Sequence, residues 1–90
     1  MKKQIHVLYT GSVQGVGFRF MTESIARSLS VGGWVKNLAN GQVEVVAEAE
    51  EGLLKDFLGR ITQAFERYIR DTQVDWLDAS GDLKTFEIRH

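Results

Sequence analysis

Ninety residues with eleven Lys and Arg, twelve Asp and Glu and a formal charge of −1 describe one domain, residues 1–90, with a single core and a net stability of about 5 to 13 kcal/mol. The absence of cysteine excludes a disulfide scaffold, thiol catalysis and Cys-based zinc sites. No apolar run approaches the roughly 18 residues of a membrane span, and a nucleic-acid partner would call for a basic excess that is missing, so a cytoplasmic protein without membrane or nucleic-acid partners is expected.

The N-terminus passes directly into alternation instead of an apolar leader. Ile5, Val7, Tyr9, Gly11 and Val13 share one face of a period-two pattern and His6, Leu8, Thr10 and Ser12 the other, which predicts a strand over 4–12. Met21, Ile25, Ala26 and Leu29 then recur at helical spacing, with Glu23 and Arg27 on a polar side, so a helix begins between Phe18 and Phe20.

Between these elements lies Gly11-Ser12-Val13-Gln14-Gly15-Val16-Gly17-Phe18-Arg19. A strand-to-helix loop leaves backbone N–H groups unpaired at the positive end of the helix dipole, where anions bind. Gly15 and Gly17 permit positive φ and remove the Cβ atoms that would hold a phosphate off the main chain. Arg19 adds a planar, permanently charged fork for two phosphate oxygens. A tight turn without a ligand is the alternative for the glycines. A P-loop is excluded because Phe18-Arg19 stands where Lys-Ser or Lys-Thr is needed. A dinucleotide fingerprint is excluded because Phe20 occupies the third glycine position.

Ser30-Val31-Gly32-Gly33 reads as a helix stop and Trp34–Leu38 as a second strand. Asn40-Gly41 between apolar runs predicts a tight hairpin in which both residues tolerate positive φ, with Gln42–Ala47 as the returning strand. Apolar residues at 53, 54, 57, 58, 61, 65, 68 and 69 form a helical stripe from Glu50 to Ile69, with Arg67 and Arg70 as cations at its end. Thr72–Leu77 reads as a short strand, Ser80-Gly81-Asp82 as a turn and Thr85–His90 as a last strand. The βαββαβ order with an extra C-terminal strand predicts an α+β sandwich of ferredoxin-like type: an antiparallel sheet with both helices on one face.

Other chemistry-bearing residues have plainer readings. His6 and His90 are read as solvated or sheet-face residues, and Trp34, Trp76, Phe57 and Phe65 as core or sheet-face residues. Glu48, Glu50 and Glu51 are read as complementing a helix N-terminus, with no metal assigned, and Glu44 as a surface strand residue.

Gly11-x-Val13-Gln14-Gly15-Val16-Gly17-Phe18-Arg19, followed by Gly33-Trp34-Val35-Lys36-Asn37 and Asn40-Gly41-x-Val43-Glu44, resembles the acylphosphatase family in motif order along the whole chain. Phe86-Glu87-Ile88-Arg89 is similar to the family's closing strand. The resemblance implies the same fold and metal-independent, cofactor-free hydrolysis of acyl phosphates to carboxylate and inorganic phosphate. By motif, Arg19 holds the phosphoryl group with the cradle Gln14, Gly15, Val16, Gly17 and Phe18, and Asn37 positions water. The implied partner is a small-molecule acyl phosphate, phosphate or another small oxyanion, and a monomer is expected. Ser30 departs from the family's usual glycine, which costs up to about 1 kcal/mol if the backbone there is left-handed. The usual Gly-Pro between the second helix and fourth strand is missing as well.

Two other classes compete. An RNA-recognition motif shares the element order, but its aromatic signature belongs on the third strand, where Val43–Glu48 has no aromatic residue. A phosphate-binding relative without turnover, or a counterpart of the acylphosphatase-like domains in larger carbamoyl-transfer maturation proteins, is the other. With both motif residues present, an independent enzyme is the expectation.

Overall fold

Apolar side chains at every second position of the first segment build β1 (Lys2–Gly11), and the computed structural model, which describes residues 1–90, continues with α1 (Phe18–Ser28), β2 (Gly32–Asn37), β3 (Val43–Glu50), α2 (Glu51–Ala64), β4 (Ile69–Asp78) and β5 (Phe86–Arg89). The sheet runs β4-β1-β3-β2-β5. Ile5, Val7 and Tyr9 of β1, Val35 of β2 and Val43, Val45 and Ala47 of β3 are fully buried, together with Ala26 of α1 and Leu54, Phe57 and Ile61 of α2. The helices share that face, α1 over β2 and β5 and α2 over β3 and β1, so alternation in the strands and helical spacing in the helices supply one core.

The four core strands pair antiparallel as expected, but the added strand does not: β5 lies parallel to β2, with Gly33 opposite Phe86 and Lys36 opposite Arg89. β4 and β2 run in opposite directions at opposite sides of the sheet, so a chain that reverses once after β4 and crosses the sheet end must enter beside β2 in parallel. Glu48 fixes that crossing. It is a buried carboxylate within β3 that accepts hydrogen bonds from the Ser80 N–H at 2.6 Å and the Gly81 N–H at 2.8 Å, with the Gln4 amide and the Ser80 hydroxyl as further donors. Burial alone would raise the Glu48 carboxyl, yet these donors outweigh it and hold the group below the usual carboxylate range. Of the three glutamates expected at the helix start, only Glu51 lies in the first turn of α2. Glu50 pairs with the Met1 amino group, which with its charge lowers the Glu50 carboxyl.

The second helix is shorter than its stripe suggests, ending at Ala64 instead of Ile69. Phe65 drops into the core, and its carbonyl accepts from the N–H groups of Tyr68 at 2.9 Å and Ile69 at 3.0 Å, so the apolar period continues through a turn into an edge strand. Arg67 and Arg70 therefore lie beyond the helix. Without proline, β1 sets the join: Ser12 N–H donates to Tyr68 O at 2.9 Å, and Gly11, at φ 136°, would place a Cβ 2.2 Å from that carbonyl oxygen. The β2–β3 hairpin also differs in detail. Gly41 takes positive φ and Asn40 does not, and Gly41 N–H bonds to Leu38 O while Leu38 N–H bonds to Gln42 O, which is a three-residue loop with a glycine bulge rather than a two-residue turn.

At the end of α1, Val31 N–H bonds to Ala26 O at 2.8 Å and Ser30 N–H to Arg27 O at 3.2 Å, a Schellman closure that places Ser30 at φ 56°. Replacing Ser30 with glycine should raise the unfolding free energy by about 0.5 to 1 kcal/mol, measurable as a higher denaturant midpoint at constant m-value. Because the folded pKa of Glu48 is depressed, its contribution is fully present above about pH 4.3 and is lost as pH falls through the folded value. Glu48→Gln is therefore expected to cost about 1 to 3 kcal/mol at pH 7, with the wild-type and variant unfolding curves converging at acid pH.

Candidate active site

Phe18 anchors the site from inside. Its buried ring lies 4.9 Å from Tyr9 and 4.6 Å from Phe65 between centroids, which fixes the first turn of α1 on the core and leaves the neighbouring Arg19 outside it. Gly15 and Gly17 have φ of 79° and 80°, and a Cβ on either would meet nothing within 4 Å. Their need is therefore conformational and not one of local crowding. Gly17 is the N-cap and carries no side chain to satisfy the helix start, and the first turn of α1 holds no acidic residue. The N–H groups from Gly15 to Phe20 accordingly have no acceptor within the chain, the first closing bond being Met21 N–H to Gly17 O.

A hollow of about 250 Å³ opens at this helix start, lined by Val13, Gly15, Gly17, Phe18, Arg19, Phe20 and Asn37. Asn37, the last residue of β2, pairs with Val43 of β3, and its side-chain Oδ1 is buried with no hydrogen-bond partner. The Arg19 guanidinium meets no carboxylate; its one polar contact is with His90 Nδ1 at 3.3 Å. Open donors and a permanent cation thus border one cavity together with Asn37, a combination suited to an oxyanion.

Five expected site residues, Gly15, Gly17, Phe18, Arg19 and Asn37, line the hollow, whereas Gln14 and Val16 do not. Gln14 Nε2 instead donates to Leu38 O at 2.8 Å and Gln42 O at 2.9 Å, tying the loop to the hairpin that follows Asn37. Val16 points its side chain toward solvent. Val13 and Phe20 were not expected to line the site. The one available signal was Phe20, an exposed aromatic on the polar side of an amphipathic helix. His6 lies on the opposite sheet face, where Nε2 is 2.7 Å from Glu44 Oε2, so Glu44 is a half-buried partner rather than a free surface residue. His90 reaches the site only through its contact with Arg19. No group of three or more His, Asp or Glu side chains is arranged to hold a metal ion. Tyr9 stays protonated because burial pushes its hydroxyl far up.

An α+β sandwich of ferredoxin-like type with an arginine-bordered hollow at a glycine-flanked helix start is the class these features define. The family model for acylphosphatase matches residues 5–88. An acylphosphatase of Caldanaerobacter subterraneus subsp. tengcongensis is 41% identical over 90 residues, covering 98% of this chain and 99% of the relative. The crystal structure of acylphosphatase from Bacillus subtilis superposes over the full length of both chains with a TM-score of 0.89 at 29% identity. Full-length HypF in its phosphate- and nucleotide-bound form matches all of this chain over 12% of its own length, with a TM-score of 0.85 and 25% identity. The chain belongs to the acylphosphatase family.

Gln14→Ala removes both bonds to the hairpin. Its unfolding free energy should fall by about 1 kcal/mol, with faster amide exchange at Leu38 and Gly41 than at Val45. Unchanged exchange at those two amides would show that the hairpin is held by other means.

Proposed function

We propose that this chain hydrolyses the carboxylic–phosphoric anhydride of acyl phosphates, with the phosphoryl group held by the backbone N–H groups of Gly15–Arg19 and the Arg19 guanidinium and the attacking water positioned by Asn37. The observation that carries the reading is that Asn37, whose Oδ1 has no hydrogen-bond partner in the chain, borders the same hollow as Arg19 and the glycine loop. Family membership supports the reaction class.

Water is the nucleophile. Its oxygen forms a new P–O bond while the bond from phosphorus to the acyl oxygen breaks. The carboxylate leaves with the electron pair, and the water proton is released to phosphate or solvent. A carboxylate is a good leaving group, so the step asks for positioning and charge stabilisation more than for a strong base. Asn37 Oδ1 accepts one hydrogen of the water and so aims a lone pair at phosphorus. The N–H groups and the guanidinium meet the charge that spreads over the equatorial oxygens, preorganised before the reaction begins. On this reading no metal or other cofactor is required, because fixed dipoles and a permanent cation neutralise the phosphoryl oxygens. Gln14 and Val16 contribute through the main chain and through the loop's attachment to the hairpin. One copy of the chain supplies every group, so the enzyme acts as a monomer, on a small-molecule acyl phosphate in the cytoplasm.

The test is hydrolysis of benzoyl phosphate with chelator present and a phosphate monoester as control. Arg19→Lys should lose about 10²- to 10³-fold in kcat/KM, because a point charge replaces the fork. Asn37→Ala should lose a similar factor in kcat while inorganic phosphate still binds at the loop amides. Near-normal turnover by Asn37→Ala would remove the role assigned to that side chain.

A further inference from the structure

The chain has six arginines. Arg27, Arg60 and Arg89 are neutralised by Glu23, Asp56 and Glu87. Arg19, Arg67 and Arg70 pair with no carboxylate, although Glu66 and Asp71 flank the last two in sequence. All three unpaired arginines lie at the same end of the sheet, where β1 and β2 finish and β4 begins. Arg67 and Arg70 line a second hollow of about 550 Å³ with the exposed Tyr68. Thr10, Asn40 and Gln42 line it as well. Those side chains are held in place by one another: Gln42 Nε2 donates to Thr10 Oγ1 at 2.9 Å, and Asn40 Nδ2 to Gln42 Oε1 at 2.8 Å. The two hollows share one stretch of chain, since Gly11 and Ser12 border the second and Val13 and Gly15 border the first.

We infer that this arginine-lined hollow is a second anion subsite, which takes a phosphate, phosphonate or carboxylate at the far end of the acyl group while the anhydride phosphoryl occupies the first. The inference rests on the hydrolase reading for its substrate. Two unpaired guanidiniums beside ordered amides and hydroxyls supply charge and directional donors for one oxyanion. A hollow that begins where the phosphoryl cradle's own loop leaves β1 is placed for a tail that emerges from the cradle. A clamp on the common phosphate cannot discriminate among acyl groups, whereas a subsite beyond it can.

The experiment compares alkanoyl phosphates ending in a methyl group with the same chains ending in a phosphonate, over a range of chain lengths, for wild type, Arg67→Gln, Arg70→Gln and the double variant. Wild type should prefer the phosphonate-ended substrate at an optimal length by about 5- to 20-fold in kcat/KM, carried by KM, with each arginine accounting for about 2- to 5-fold. The preference should fall toward unity in the double variant and in high salt. Equal preference in wild type and double variant, or no preference at any length, overturns the subsite. The methyl-ended substrates report the hydrolase reading separately. Should wild type hydrolyse neither series, NMR titration with alkyl bisphosphonates and the matching monophosphonates decides the subsite alone. Tighter bisphosphonate binding that is lost in the double variant supports it, and equal binding overturns it.

Discussion

The molecule is organised around a run of backbone N–H groups that nothing in its own chain satisfies. These donors run from Gly15 to Phe20, at a helix start capped only by glycine. Unpaired buried donors are costly, and donors kept at a cavity mouth instead hold a standing affinity for an anion. An acidic N-cap would have removed that affinity by filling it from within. A cation in the first turn is unfavourable to the helix dipole, yet Arg19 stands there. Donors and guanidinium oppose one another electrostatically, and the core contacts of Phe18 hold the turn in place against that repulsion.

Topology decides what else lies beside those donors. β1, β2 and β5 run in the same direction, so the loop after β1, Asn37 at the end of β2 and His90 beyond β5 come to one sheet end. β3 lies between β1 and β2, and the loop must therefore pass the β2–β3 hairpin to bring its glycines beside Asn37. The Gln14 amide, donating to carbonyls on both sides of the hairpin, fixes that passage. Gly11 does the equivalent on the other flank, where any side chain would collide with the Tyr68 carbonyl.

Much of this was legible in the sequence because it rests on local rules. Alternation gave β1 and its buried face, and helical spacing gave the core face of both helices. The two glycines and Arg19 marked the open helix start, while Asn37 entered through the family resemblance and not through any local signal. What failed was long-range or edge information. No residue pattern states the direction in which β5 joins β2. The end of α2 was hidden because Phe65, Tyr68 and Ile69 keep helical spacing while the backbone has already turned. β4 extends beyond the segment recognised because most of its side chains are exposed at the sheet edge, where alternation has nothing to bury against. Arg67 and Arg70 read as helix-end cations only while the helix was thought to reach them. Gln14 sits inside the motif, but its bonds cross to residues 24 and 28 positions away.

The formal charge of −1 conceals a separation of tasks between the two signs. Glu48 is buried and spends its acceptors on holding the crossing from β4 to β5, and Glu50 on the amino terminus. Both act at the end of β3 remote from the cradle. On the helices, Glu23, Asp56 and Glu51 are paired with a cation one turn later, contributions that are small at an exposed surface. The arginines left over are those at the cradle end. Had Glu66 or Asp71 closed on Arg67 or Arg70, or any acid on Arg19, the local field would be quenched at no gain to a core that does not involve them. Small exposed pairing energies make such neutralisation a weak stabiliser, whereas an unpaired guanidinium at a concave surface keeps its full attraction for an incoming oxyanion. Glu48 and Glu50 thus secure one end of the sheet, and the three arginines without a carboxylate partner lie at the other.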